Sequence, residues 1–131
     1  MSARDLILLV EDSEANWMLA SAVLEREGFQ VEVATAPDGV REWVRRAQPD
    51  LILMDVQLPG QDGMSLTREL KADPHTARIP VVALTAHVMA GDRERAIDAG
   101  CEGYLSKPID TRTFGEQVRK FLADSRQAAA P

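Results

Sequence analysis

Cysteine occurs once in this chain, at Cys101, and lysine only at Lys71, Lys107 and Lys120. A single thiol excludes a disulfide within the chain and leaves no thiolate set for zinc. No apolar run is long enough to span a bilayer, since the longest stretch without formal charge, Ile79 to Gly91, contains Pro80 and His87. Leu6 to Val10 is apolar, but Glu11 and Asp12 follow at once, too early for the core of a signal peptide. Sequence repeats, low-complexity blocks and long linkers are missing as well, so the 131 residues are expected to form one domain. Positive charge is in the minority: 15 Lys and Arg against 21 Asp and Glu give a net charge of −6. That balance argues against a protein built to coat nucleic acid or an anionic membrane. A soluble cytoplasmic protein is the expectation.

What is present is an alternation of two periods. Leu6-Ile7-Leu8-Leu9-Val10, Leu51-Ile52-Leu53-Met54 and Val81-Val82-Ala83-Leu84 are short continuous apolar runs, the mark of strands covered on both faces. Val31 and Val33 alternate with Gln30 and Glu32, which suits an edge strand, and Gly103 to Ser106 reads as a brief fifth strand. Between the strands lie helical spacings. Ala15, Leu19, Ala22, Val23 and Arg26 precede Gly28 at a C-cap position, and Val40, Trp43, Val44 and Ala47 follow Pro37 as helix opener. Asp62 is a fair N-cap for a helix through Leu66 and Leu70, another helix is expected from Asp92 to Ala99, and Asp110 is expected to cap a last one carrying Phe114, Val118, Phe121 and Leu122. Five strands alternating with five helices imply a doubly wound α/β fold with a parallel sheet. Residues 1–123 are expected to form that domain, and the polar, Ala-rich stretch 124–131 to be a flexible tail.

In such sheets ligands bind beyond the carboxyl ends of the strands. The first strand ends in Glu11-Asp12, the third in Asp55, the fourth in Thr85 and the fifth at Lys107. At ~4 Å two like charges repel by about 4 kcal/mol at an effective dielectric of 20. Clustered acids therefore need a cation, a shared proton or a salt bridge. Hard oxygen ligands favour Mg²⁺, which keeps several waters and accepts phosphate oxygens. Lys107 and Thr85 would add a point charge and a donor, suited to a phosphoryl group attached to a carboxylate.

These residues carry a resemblance. Glu11-Asp12, Asp55 through Pro59 with Asp62-Gly63, Thr85-Ala86, and Tyr104 through Lys107-Pro108 stand in order at strand ends. In this the chain resembles the receiver domain of two-component response regulators, the CheY-like family, from about Asp5 to Leu122. The stretch Pro80 to Pro108 is also similar to receivers of hybrid kinases and of DivK-type regulators. The resemblance implies a flavodoxin-like five-stranded sheet of order 2-1-3-4-5. It makes Asp55 the phosphoacceptor for a phosphohistidine on a sensor histidine kinase or histidine phosphotransfer protein. Glu11, Asp12, Asp55 and the carbonyl of Gln57 become the Mg²⁺ site. Thr85 and Lys107 become the phosphoryl-oxygen contacts, Thr85 and Tyr104 the switch pair, and Lys107-Pro108 a cis peptide. The implied role is a signalling switch, catalysing only its own phosphotransfer and slow dephosphorylation and acting on a downstream protein target.

Each residue has a plainer reading. Glu11, Asp12 or Ser13 could simply cap the first helix, Thr85 could satisfy a strand-end backbone group, and Tyr104 could be an edge-strand aromatic. Lys71 and Lys120 read as solvated helix residues, His75 and His87 as surface, Trp17 and Trp43 as packing, and Cys101 as an inert thiol. The competing functions are a receiver-fold interaction module, excised from a hybrid kinase or working without phosphorylation, and an aspartyl-nucleophile phosphatase. The phosphatase wants an acid two residues after the nucleophile, where Gln57 stands. A flavin carrier is excluded because the first loop, Glu11 to Asn16, has no glycine to cradle a phosphate. The length is expected to leave no room for an effector domain, so the signal would pass to another protein.

Overall fold

The computed structural model describes residues 4–86 and 91–129. Its strands are β1 (Leu6–Val10), β2 (Gln30–Ala34), β3 (Leu51–Asp55), β4 (Val81–Thr85) and β5 (Gly103–Ser106). Its helices are α1 (Glu14–Arg26), α2 (Val40–Ala47), α3 (Gly63–Ala72), α4 (Asp92–Ala99) and α5 (Phe114–Ala129). The five strands form one parallel sheet of order β2-β1-β3-β4-β5. This is the expected 2-1-3-4-5 order.

The continuous apolar runs follow from a sheet buried on both sides. Successive side chains point to opposite faces, so each central strand feeds two cores. Ile7, Leu9, Leu51, Leu53, Val82 and Leu84 pack under Val23 and Leu24 of α1 and Phe114, Val118 and Leu122 of α5. Leu8, Val10, Ile52, Met54, Val81 and Ala83 pack against Val44 of α2, Leu66 and Leu70 of α3 and Ala96 of α4. Every residue of β3 and β4 is buried, whereas the edge strand β2 is half-covered. Trp17 and Trp43 pack, partly exposed, against the two cores, and Cys101 is buried.

Several boundaries differ from the sequence reading. Pro37 does not open α2; its carbonyl accepts the Val40 N–H at 3.2 Å, and Gly39 at φ 78° turns the chain into the helix. A two-residue antiparallel ribbon, Gln57–Leu58 with Gln61–Asp62, fills what the sequence reads as an irregular loop. Asp62 does cap α3, its carboxylate accepting the Met64 N–H at 2.9 Å. Lys71 is not a solvated residue. Its ammonium donates to the carbonyls of Ala77 and Ile79 at 3.1 and 2.7 Å and pairs with Glu102, fastening the turn before β4. His87 lies outside the described residues.

The stretch from Asp124, expected to be a flexible tail, is helical as far as Ala129. Ala, Gln and Arg are good helix formers, so a packed helix extends through them at little cost. Arg126 adds an anchor, 2.5 Å from Asp5 and 3.8 Å from Asp50, while the other Asp50 oxygen accepts the Leu6 N–H at 2.7 Å. Because the guanidinium is largely exposed, Arg126→Ala is expected to cost only about 0.5–1 kcal/mol in urea unfolding, and less in high salt. A loss independent of salt would contradict an ionic anchor.

Candidate functional site

The carboxyl edge of the sheet gathers the residues singled out by sequence. β1 runs into Glu11, whose N–H donates to the Ala34 carbonyl at 2.9 Å, keeping it in line with the strand. Glu11 is 1% exposed, and Asp12 beside it faces solvent. β3 ends in Asp55, 3% exposed. Oxygens of Glu11, Asp12 and Asp55 lie within 4.8 Å of one another. The peptide before Pro108 is cis, and the Lys107 N–H donates to the Thr85 carbonyl at 2.8 Å. From that hold the Lys107 ammonium reaches Glu11 Oε1 at 3.0 Å and Asp55 Oδ1 at 3.1 Å. The Gln57 N–H also donates to Asp55 Oδ1, at 3.1 Å, and its side chain is exposed.

Among the described residues, one ammonium, that of Lys107, is paired into this cluster of three acids, with Glu11 and Asp55. Glu11 Oε2 is buried with no hydrogen-bond partner among the described residues. Burial, and next the neighbouring Glu11, push the Asp55 carboxyl up to about 7. Burial works against ionised Glu11 too, but proton sharing with Asp55 and the Lys107 ammonium hold its pKa below the usual carboxylate range. Lys107 loses hydration by burial, yet its two carboxylate partners raise its pKa. The result is a pair of acids competing for a single proton, which Asp55 holds near neutrality.

Thr85 ends β4, buried, and with Tyr104 of β5 it lines a small cavity between the sheet and Ala96 of α4. Tyr104 is half-buried against the core that includes Met64 and Ala83. Glu11 and Asp12 do not cap α1; Ser13 occupies the N-cap without a side-chain bond. One contributor escaped the sequence reading. Gly63, the first residue of α3, lies so close to the Asp55 carbonyl that a β-carbon there would stand 1.9 Å from its oxygen. The Asp62-Gly63 pair signals a turn but not this contact.

The model of the response regulator receiver domain matches residues 7–119. The chain belongs to the response regulator receiver family. A curated receiver, the polar-differentiation response regulator DivK of Brucella ovis, is 40% identical over 119 residues, covering 91% of this chain and 97% of that protein. The receiver domain of a sensor histidine kinase from Pseudomonas aeruginosa PAO1 is 36% identical, with a TM-score of 0.84 over 92% of this chain and 99% of that one. Its structure has a magnesium ion coordinated in the active-site cleft. A CheY-like receiver of Methanospirillum hungatei, 22% identical, shares the fold with a TM-score of 0.87 over 97% of this chain and all of that one. Among the described residues of this receiver, no helix is long and apolar enough to cross a membrane.

Proposed function

We propose that this receiver takes a phosphoryl group onto Asp55 from a phosphohistidine of a sensor histidine kinase or phosphotransfer protein, in the cytoplasm. The observation that carries this reading is the Lys107 ammonium held between Asp55 and Glu11, with Asp12 completing the acidic cluster. In the reaction Asp55 attacks phosphorus with a carboxylate oxygen as the phosphorus–nitrogen bond to the donor imidazole breaks. The nitrogen keeps the bonding pair and the product is an acyl phosphate. Lys107 and the Thr85 hydroxyl hold the phosphoryl oxygens, a role of positioning and charge stabilisation. Drawing Thr85 toward the phosphoryl group empties space beside Tyr104, whose inward turn would alter the surface of α4, β5 and α5 presented to a downstream protein.

The donor set fits Mg²⁺. Oxygens of three acids lie within 4.8 Å, and one buried oxygen of Glu11 has no partner among the described residues. Asp12, Asp55 and the Gln57 carbonyl would hold the ion, with Glu11 acting through a bound water. When bound it supplies positive charge against the phosphoryl oxygens. The protein's share is to aim Asp55 and to hold the Lys107 ammonium against it.

The direct test is incubation with Mg²⁺ and acetyl phosphate, which is expected to give an acid-stable, base-labile adduct at Asp55. Protein that stays unmodified would refute the reading. Proton competition gives a second test. Asp55 must lose its proton to bind a cation, so Mg²⁺ affinity is expected to fall as pH drops through about 7. The slope expected from calorimetric titration approaches about tenfold per pH unit below that point. Affinity that stays flat on both sides of neutrality would contradict it.

A further inference from the structure

The opposite edge of the sheet carries a second polar constellation. α2 ends there and β3 and β4 begin there. An open groove of about 620 Å³ lies between the end of α2 and the turn before β4, lined by Glu42, Arg45, Arg46, Gln48, His75 and Arg78.

Gln48 organises this groove. Its backbone, at φ 51° and ψ 62°, is the one left-handed non-glycine residue among those described, a conformation that persists where the surroundings hold it. From it the amide nitrogen donates to the carbonyls of Arg45 at 3.1 Å and His75 at 2.9 Å, and Oε1 accepts from Arg78 at 3.0 Å. One side chain ties the last turn of α2 to the turn before β4 and fixes a guanidinium from that turn.

Helix closure accounts for part of this, since Arg45 and Arg46 in the last turn oppose the negative end of the α2 dipole. It does not account for Arg78, which comes from a different segment. Nor does it balance the charge. Arg45 pairs with Asp73 at 3.4 Å, but among the described residues Arg46 and Arg78 have no carboxylate partner. In a chain of net charge −6, two such guanidiniums beside His75 are a local reversal of sign.

The geometry points to a docking groove for an acidic segment of a partner protein, whose spaced carboxylates meet Arg46 and Arg78. Guanidinium forks match carboxylates two hydrogen bonds at a time. Glu42 lines the same groove and Arg45 is paired with Asp73, so an acid stands among its cations. That pattern repels a compact dianion but admits an extended chain whose charges are spaced. The chain's net charge of −6 opposes the same segment wherever such cations are missing. The groove lies across the sheet from Asp55, so an occupant leaves the phosphoryl route open.

The probe is a fluorescein-labelled hexaglutamate peptide titrated with the full chain by anisotropy, at about 20 mM salt. Saturable binding is expected. Arg46→Glu with Arg78→Glu is expected to weaken it about tenfold or more, and salt raised to about 200 mM to weaken the wild type comparably. Arg68→Glu with Arg93→Glu changes two exposed arginines on α3 and α4 and shifts net charge equally; binding is expected to stay within about twofold. Acetyl phosphate labelling of Asp55 reports that each variant is folded, and Arg46→Gln with Arg78→Gln replaces the Glu pair if that pair fails it. Absence of saturable binding, or equal weakening in the control, would overturn the proposal. So would pyrophosphate binding in the peptide's stead, or sedimentation showing a wild-type dimer that the groove variant abolishes.

Discussion

Asp55→Asn is expected to abolish phosphoryl acceptance and to leave the fold more stable than the wild type at neutral and alkaline pH. The loss follows from chemistry, because a carboxamide has no anionic oxygen with which to attack phosphorus. Acetyl phosphate labelling should fall by more than about 100-fold, to background. The gain in stability follows from electrostatics. Asp55 is 3% exposed, and its carboxyl moves from an ordinary value of 3.8 to about 7 in the fold through burial first and the adjacent Glu11 second. The folded chain then binds that proton more tightly than the unfolded chain. This contribution is complete below the unfolded value and is lost as pH rises through the folded one. Glu11 and Lys107 do not reshape that interval. The lowered Glu11 titrates below its ordinary 4.5 and the raised Lys107 above its ordinary 10.5. The Asn variant keeps a polar group beside Lys107 and the Gln57 N–H, and leaves Glu11 with one cation and no competing buried acid.

Urea unfolding without divalent cations, between about pH 5 and pH 8, should show the two proteins diverging up to about pH 7 and then running parallel. The plateau difference is expected to be about 1–3 kcal/mol. Added Mg²⁺ should stabilise the wild type and narrow the gap. A difference constant across the range would refute the electrostatic account, and label retained on the Asn variant would refute Asp55 as acceptor.

Legibility in the sequence tracks burial. Leu51 to Met54 and Val81 to Leu84 belong to strands covered on both faces, where nearly every residue must be apolar, so their ends mark Asp55 and Thr85 without ambiguity. The candidate site inherits this clarity because its residues directly follow strand termini. Glu11 was readable as a strand-end acid, but nothing local marks its burial, and the Lys107 that pairs with it arrives 96 positions later in the chain. Lys71 shows the same limit. It looks like a surface residue until the turn at Ala77 and Ile79 folds back over it. The helical continuation to Ala129 was hidden for the opposite reason, because its residues are mostly exposed and bear no apolar stripe. Local propensity and one arginine pair, rather than a core pattern, carry it.

Among the glycines, Gly63→Ala should be the most damaging added methyl group. A β-carbon at that position would stand 1.9 Å from the Asp55 carbonyl oxygen, 2.9 Å from its carbon and 3.2 Å from Met54 Cγ. Neither side is free to yield. Gly63 donates its N–H to the Val56 carbonyl at 2.9 Å and accepts from the Thr67 hydroxyl at 2.9 Å. Asp55 is opposite Leu84 in the sheet, and the Val56 N–H is bound to the Leu84 carbonyl at 3.0 Å. Relief therefore requires α3 to lift or the end of β3 to bend. The expected cost is about 3 kcal/mol, at the upper end for overpacking, which lowers the melting temperature by roughly 10 °C in a domain of this size. Gly28→Ala is the control, because its φ of 98° is strained for a side chain while the space around it is open. It should cost only about 1 kcal/mol. The two variants differ further at temperatures where both remain folded. Gly28→Ala should bind Mg²⁺ and accept phosphate as the wild type does. Gly63→Ala should lose both by about tenfold or more, because the atom it displaces is the backbone of the acceptor itself. Wild-type metal affinity in folded Gly63→Ala would mean that α3 had lifted and the aim of Asp55 does not depend on that contact.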